Sequence, residues 1–231
     1  MSKIANATST ARRPSLPCIL AACGLALALG GCSLLGSGGS REPGTIYSPD
    51  VRVQPDPAWP SVQWQLAIAS ASATRMVDSP RISVRPTASE LQVYGGASWS
   101  QPSTDLLETT VLRAFEDSGR IHGVARSDVG IRPDYKLVMD IRRFEADYAG
   151  RAVPSATIEV SAKLLHNRDQ RVVASRTFLQ KQPAAGTAVP QVVAAFEQAL
   201  AGLSTDIVGW TLAGGQADHQ APDDPLTPQG G

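Results

Sequence analysis

Apolar and polar residues alternate along several short segments of the chain, a pattern typical of β-strands that are buried on one face. The alternation is clearest in residues 62–69 and 156–164. Residues 81–85 and 91–94 show the same pattern more briefly, with Pro86 between them. We predict a strand for each of these four segments.

Two further strands are predicted from less regular patterns. In residues 135–148 the apolar positions up to Ile141 have one parity and Phe144 has the other, which predicts a long strand with a bulge near Arg142. Residues 171–180 follow a turn, but neither of their faces is decisively apolar. We predict a last strand there and leave its register open.

Apolar residues recur every three or four positions in two other segments, which predicts amphipathic helices. The first follows Pro102, has Asp105 as its candidate N-cap and ends at Gly119. The second has Thr187 as its candidate N-cap and Pro190 in its first turn. We expect both apolar stripes to cover the sheet, and the alternative is a helix that docks on a partner protein. The stripes consist of Leu107, Val111, Ala114 and Phe115, and of Val189, Val192, Phe196, Leu200, Leu203, Ile207 and Trp210.

Together these elements predict an α+β fold: a single, mainly antiparallel sheet with two amphipathic helices packed on it, over residues 62–212. Residues 32–61 are rich in Gly and Pro, and we predict a flexible tether there. Residues 213–231 have little apolar content and are predicted to be a disordered tail.

The first 31 residues predict a bacterial lipoprotein signal peptide. Their N-terminal flank is basic, and the apolar run over residues 18–29 is well short of the roughly 20 residues that span a bilayer. The run ends in a lipobox, Leu29, Gly30, Gly31 and Cys32. We therefore expect cleavage before Cys32, a diacylglycerol on its sulfur and an acyl chain on its new amino group. At about 0.8 kcal/mol per buried methylene, two or three chains anchor the protein stably.

The residue after the lipidated cysteine predicts which of the two bacterial membranes holds the lipoprotein. Bacteria with two membranes commonly retain a lipoprotein in the inner one when Asp occupies this position, and here it is Ser33. We predict a lipid-anchored protein on the periplasmic face of the outer membrane. No cofactor is expected besides the covalent lipid on Cys32.

Charge and cysteine content exclude several classes of function. The chain has 21 basic and 21 acidic residues, and the signal carries three basic and no acidic ones, so the mature chain has a net charge near −3. No nucleic-acid partner is expected. The three cysteines are Cys18, Cys23 and Cys32, so the mature domain has no disulfide, no thiol nucleophile and no cysteine metal site.

The sequence carries no recognisable catalytic motif of the common hydrolase or nucleotide-binding kinds. Its histidines, His122, His166 and His219, are widely dispersed, and a lone histidine is more often solvated than a ligand. Asp140 and Glu145 lie beside two arginines, which is typical of a surface ion-pair cluster. We assign no catalytic residue and no metal ligand, and we do not expect an enzyme.

Several motifs in succession resemble a known family. They are Arg-Ile-Ser-Val-Arg-Pro at residues 81–86, a turn from Tyr94 to Trp99, and Pro102 followed by Leu106-Leu107. Further motifs of the same family match at residues 175–178 and 194–200. In these motifs and their order, from Trp64 to Trp210, the chain resembles the ABC-type transport auxiliary lipoproteins.

The resemblance implies a partner in a system that moves lipids between two membranes with an ABC transporter and a mammalian-cell-entry (MCE) domain protein. The implied role is to dock the periplasmic MCE protein at the outer membrane, as a monomer or as a homo-oligomer. Tyr94 and Trp99 are candidate exposed aromatic contacts for this partner. The alternative for Trp99 is that it closes one end of the core.

Two other functions are compatible with the sequence. One is an outer-membrane lipoprotein that assists assembly of a different envelope system, since a small domain on a tether suits either task. The other is a periplasmic hydrolase on a lipid anchor, with a site built from Asp, Glu and Ser.

Overall fold

The computed structural model describes residues 44–130 and 132–221. The signal peptide, the lipobox with Cys32 and the last ten residues of the predicted tail lie outside this range. The described part contains nine strands and two helices. In chain order they are β1 (Thr45–Tyr47), β2 (Val62–Ile68), β3 (Ser72–Ala73), β4 (Arg81–Arg85), β5 (Gln92–Trp99), α1 (Ser103–Ser118), β6 (Ile121–Arg126), β7 (Tyr135–Asp147), β8 (Ser155–His166), β9 (Val172–Pro183) and α2 (Val189–His219).

The long strand β7 organises the sheet. Along one edge it pairs in parallel with β2, β3 and β4 in turn. Along the other edge it pairs antiparallel with β8, which pairs antiparallel with β9. β6 extends the sheet beyond β2, while β5 and then β1 extend it beyond β4.

The sheet is mixed, so the prediction of a mainly antiparallel sheet is confirmed only in part: three strand pairs are antiparallel and five are parallel. The antiparallel neighbours, β4–β5, β7–β8 and β8–β9, follow each other directly in the chain. The parallel neighbours are separated by longer connections. Alternation of apolar residues reports a buried face but not the direction of a strand's neighbour, and parallel pairs require long-range crossovers.

The predicted bulge in β7 is confirmed. The β7–β8 register shifts between Ile141 and Arg143. Before the shift, odd-numbered residues such as Met139 are buried, and after it Phe144 and Ala146 are buried. The bulge therefore keeps apolar side chains on one face of the sheet along the whole strand.

Both helices pack on one face of the sheet, as predicted. α2 crosses β7, β8 and β9 and contacts α1, and α1 also contacts β6. Val111, Phe115, Phe196 and Leu200 are fully buried. α2 is long and apolar enough to span a bilayer by length and composition, but its apolar stripe lies in the core of the domain.

The predicted helix caps were wrong in detail. α1 begins at Ser103 directly after Pro102, and Asp105 lies in its first turn. The N-cap of α2 is Ala188, not Thr187, although Pro190 does lie in the first turn. Neither helix has a side-chain cap hydrogen bond.

The folded domain extends beyond both predicted limits, 62 and 212. β1 pairs with β5, and Val51, Val53 and Trp59 join the core. At the other end α2 continues to His219. The prolines and glycines of the predicted tether signal a lack of regular structure. They do not prevent individual apolar side chains from packing, and Trp59 lies against Gly209 of α2.

Candidate functional site: the open face of the sheet

The face of the sheet opposite the helices is polar. On β8, Ile158, Val160 and Ala162 are fully buried on the helix side, whereas Glu159 and Lys163 point to the other side. We call this surface of β7, β8 and β9 the open face. Among the described residues no helix covers it. Its side chains include Asp140 and Arg142 of β7, Glu159 and Lys163 of β8, and Leu179 and Lys181 of β9.

Strand β9 forms one edge of the sheet, and among the described residues its sole partner is β8. The amide of Ala184 donates to the carbonyl of Pro154 at 3.0 Å. Because hydrogen-bonded pairs alternate along an antiparallel ladder, Thr177, Leu179 and Lys181 direct their backbone N–H and C=O groups away from β8. The edge thus offers hydrogen bonds to an additional strand.

The side chains of β9 favour an acidic partner. The strand contains Arg176 and Lys181 and no acidic residue. Leu179 is 49% exposed on the open face, where it supplies apolar contact area. An edge with free backbone groups, an exposed leucine and positive charge suits an extended segment that carries carboxylates.

A buried ion-pair cluster holds one end of the open face together. Arg85 donates to both carboxylate oxygens of Glu145, at 2.7 and 3.0 Å. Arg143 donates to Glu145 and to Asp147, at 2.7 Å each. Glu145 is 2% exposed, and its hydrogen bonds raise the pKa of the Arg85 guanidinium. The predicted surface ion-pair cluster is therefore confirmed only in part: Glu145 pairs with Arg143, but it is buried and its second partner is Arg85. Asp140 accepts a separate hydrogen bond from Ser72 at 2.8 Å.

A cleft of about 620 Å³ lies beside this cluster. Arg85, Arg143 and Asp147 line it, together with the β7–β8 turn at Ala149 and Gly150. Both turn residues have positive φ, 46° and 75°. The arginines are already paired with carboxylates, so the cleft presents no excess charge of either sign to a ligand.

A second polar cluster fastens the end of α2 to the sheet. The hydroxyl of Tyr135 donates to Asp218 at 3.0 Å, and Arg171 donates to both oxygens of the same carboxylate at 2.7 and 3.2 Å. The hydrogen bonds from Arg171 lower the pKa of Asp218. Burial, and then the hydrogen bond to Asp218, raise the pKa of Tyr135. The cluster is a structural clamp, since each of its groups has a partner.

Neither predicted aromatic contact is an exposed anchor. Trp99 is 2% exposed and packs edge-on against Phe144 and Phe196, with ring centroids 6.1 and 5.2 Å away. It closes one end of the core, the alternative given above. Tyr94 is half-buried, and its hydroxyl is inaccessible to solvent. Neither side chain therefore presents the large exposed aromatic surface that the prediction required.

The free edge of β9 is the candidate site feature that the sequence analysis did not find. Its signal was present in residues 171–180, where neither face is decisively apolar, because an edge strand on an open face has little to bury and Phe178 is the one buried side chain of β9.

The three histidines do not come together into a site with a nucleophile. His166 bonds to Asp169 at 2.8 Å in the β8–β9 turn, His122 lies exposed on β6, and His219 ends α2. Within residues 44–130 and 132–221 no three acidic, histidine or cysteine side chains are grouped to hold a metal ion.

Comparison with known proteins identifies the family. The model of the ABC-type transport auxiliary lipoprotein component matches residues 45–208, and the chain belongs to this family. The match begins at β1, in agreement with the early start of the folded domain.

Solved structures share the fold. The crystal structure of protein XCC0632 from Xanthomonas campestris is 62% identical and has a TM-score of 0.75, covering 77% of this chain and 99% of that one. A second crystal structure, of an uncharacterized protein, has a TM-score of 0.57 at 15% identity and covers 72% and 97% of the two chains. An uncharacterized protein of Bradyrhizobium diazoefficiens is 26% identical over 185 residues, 80% of this chain. The chain spans about half the length of that relative, 49%.

Proposed function

We propose that this auxiliary lipoprotein serves, without catalysis, an ABC/MCE-type lipid transport system between two membranes. Lipid chains on Cys32 hold it on the periplasmic face of the outer membrane. Its open face and the β9 edge dock the periplasmic MCE-domain protein. Membership of the transport auxiliary family supports the general role, and the unpaired edge of β9 is the observation that supports docking.

The polar groups of the open face suit binding better than turnover. Glu145 is neutralised by two arginines, Asp140 is engaged by Ser72, and Arg142 lies between Thr177 and Glu159. Groups that are already paired make poor general acids or bases but shape a surface well. Binding energy in such an interface comes from a few central contacts within a wider polar rim.

Strand addition gives the proposed contact a specific form. An extended segment of the MCE protein would pair with the outward backbone groups of Thr177, Leu179 and Lys181. Acidic side chains on that segment would face Arg176 and Lys181. The exposed side chain of Leu179 would be buried in the contact.

The experiment measures binding of the full chain to the MCE-domain protein of the same transport system. Leu179→Asp removes apolar area and adds a charge of the wrong sign, so we expect affinity to fall at least tenfold, or about 1.4 kcal/mol. Val129→Asp alters a residue of similar exposure, 53%, in the β6–β7 loop, and it should bind as wild type. Equal affinity of wild type and Leu179→Asp would overturn docking through β9.

A second pair of variants tests whether the backbone N–H of Thr177 contributes to binding. Thr177→Pro removes an outward N–H that no described residue accepts, whereas Thr177→Ala keeps the N–H and loses the same hydroxyl. Binding should weaken in the proline variant and persist in the alanine variant. Thermal unfolding of each protein establishes that the fold is retained.

A further inference from the structure

We infer that the β1 edge of the sheet rests on the lipid bilayer and that Ile46 inserts into its interface, an inference that depends on the proposed lipidation of Cys32. β1 and β9 lie at opposite edges of the strand order β1-β5-β4-β7-β8-β9. Five strand spacings separate them, about 24 Å. The edge nearest the anchor and the edge proposed for docking are therefore different surfaces.

Chain connectivity makes β1 the edge nearest in sequence to the membrane anchor and keeps it within reach of the bilayer. Thr45 follows Cys32 by 13 residues, and a chain of this length spans at most about 47 Å in any conformation. Because the folded domain is entered at β1, this edge can reach the bilayer that holds Cys32 without any rearrangement of the domain.

Ile46 is the residue that suits a lipid contact. It is 69% exposed, more than any other large apolar side chain identified as exposed in the described part of the chain. Its neighbour Tyr47 pairs with the buried Trp99, so successive side chains of β1 alternate between the core and the outside. The sheet geometry directs Ile46 away from the helices.

A positively charged side chain, that of Arg81, lies on the same face of the sheet as Ile46, two strands away. Ile46 pairs with Ser98, and Ser98 pairs with Arg81, so all three side chains share one face. Arg81 is exposed, and in the described structure its guanidinium makes no ion pair. The acidic residue nearest to it in sequence, Asp78, is engaged by the hydroxyl of Thr104 at 2.6 Å. An apolar side chain beside an unpaired arginine suits a surface of lipid tails and phosphates.

The size of β1 favours lipid over a protein partner at this edge. The strand has three residues, and very short edge strands resist pairing with a further strand. A lipid surface requires no such backbone pairing, because insertion of one side chain and phosphate contact by another depend on side chains alone.

The experiment places a fluorescent probe at residue 46 of the mature, lipidated protein. Cys18 and Cys23 leave with the signal and Cys32 is acylated, so Ile46→Cys supplies the one free thiol. The thiol is labelled with an environment-sensitive dye, and the protein is reconstituted in vesicles of phosphatidylethanolamine and phosphatidylglycerol. A fraction of the lipids carries a nitroxide quencher near the headgroup. Leu179→Cys, labelled in the same way at the opposite edge, is the matched control.

We expect quenching at position 46 to be at least threefold stronger than at position 179, and Arg81→Glu to reduce it at least twofold. Equal, weak quenching at both positions in protein that floats with the vesicles would overturn the membrane contact and leave the proposed function standing. Protein that fails to float and shows a second reactive thiol, at Cys32, would overturn the proposed function and this inference together.

Discussion

At the scale of single residues, two adjacent glycines of α2, Gly214 and Gly215, differ in the space that their surroundings leave for a side chain. A Cβ atom on Gly215 would lie 2.5 Å from the indole of Trp64, which is buried and packs edge-on against Tyr135 at 4.9 Å. A Cβ atom on Gly214 would meet Ala174 at 3.7 Å, an ordinary contact. The helix therefore needs glycine at one of these positions and tolerates a side chain at the other.

Substitution by alanine should consequently have opposite effects at the two sites. Gly215→Ala forces the Trp64 ring to move and should lower the free energy of unfolding by about 1–3 kcal/mol. Gly214→Ala should raise it by about 0.5–1 kcal/mol, because alanine is the better helix former. Urea denaturation of the two variants measures both values. Destabilisation of similar size in both would show that Trp64 does not impose the requirement.

At the scale of elements, local patterns predicted the central strands and both apolar stripes but not β1, β3 or β6. β1 and β3 have three and two residues, too few for alternation to repeat. β6 has no decisively buried face, since its side chains are half-buried or exposed. Strand direction and the docking edge could not be predicted either, because both depend on which elements lie beside a strand and not on its own residues. Trp99 was ambiguous because its glycines predicted a turn, which could place the indole inside or outside; that prediction was wrong, since β5 continues through the glycines to Trp99.

The clamp on the end of α2 leads to a prediction about acid stability. In the folded state, the hydrogen bonds that Asp218 accepts from Arg171 lower the pKa of its carboxyl group. The clamp therefore contributes its full stabilisation above the unfolded-state pKa, about 3.9, and loses it as the pH falls through the lowered folded-state pKa. Asp218→Asn should reduce stability by about 1–2 kcal/mol at pH 7, with faster amide exchange in the last turns of α2.

Urea denaturation between pH 7 and pH 3 tests this account. The difference between wild type and Asp218→Asn should shrink as the pH falls, since protonation of Asp218 removes the same interaction. A difference that stays constant over this range would mean that the carboxylate charge contributes nothing to the clamp.

At the scale of the whole molecule, the strand order sets the orientation that we propose. We propose that the N-terminal edge, β1, faces the membrane and that the opposite edge, β9, faces the partner, since these two strands end the strand order on either side of β7. In this proposed arrangement the domain separates the membrane from the partner, and function would require both the anchor and the outer edge. Location should then matter as much as folding.

The same arrangement predicts the behaviour of variants in cells. Deleting the gene should weaken the outer-membrane barrier, measured as sensitivity to detergents and large antibiotics, and Cys32→Ala should reproduce that loss because an unanchored domain cannot hold a partner at the membrane.

Single substitutions of His122, His166 or Asp140 should leave the barrier near wild type, since docking distributes its energy over a surface. Glu145 is unsuitable for this test, because its removal leaves Arg85 without its carboxylate partner and Arg143 with Asp147 alone, which destabilises the fold. If His166→Ala abolished the barrier in protein that immunoblots show at normal level in the membrane fraction, docking would have to be abandoned for an enzymatic role.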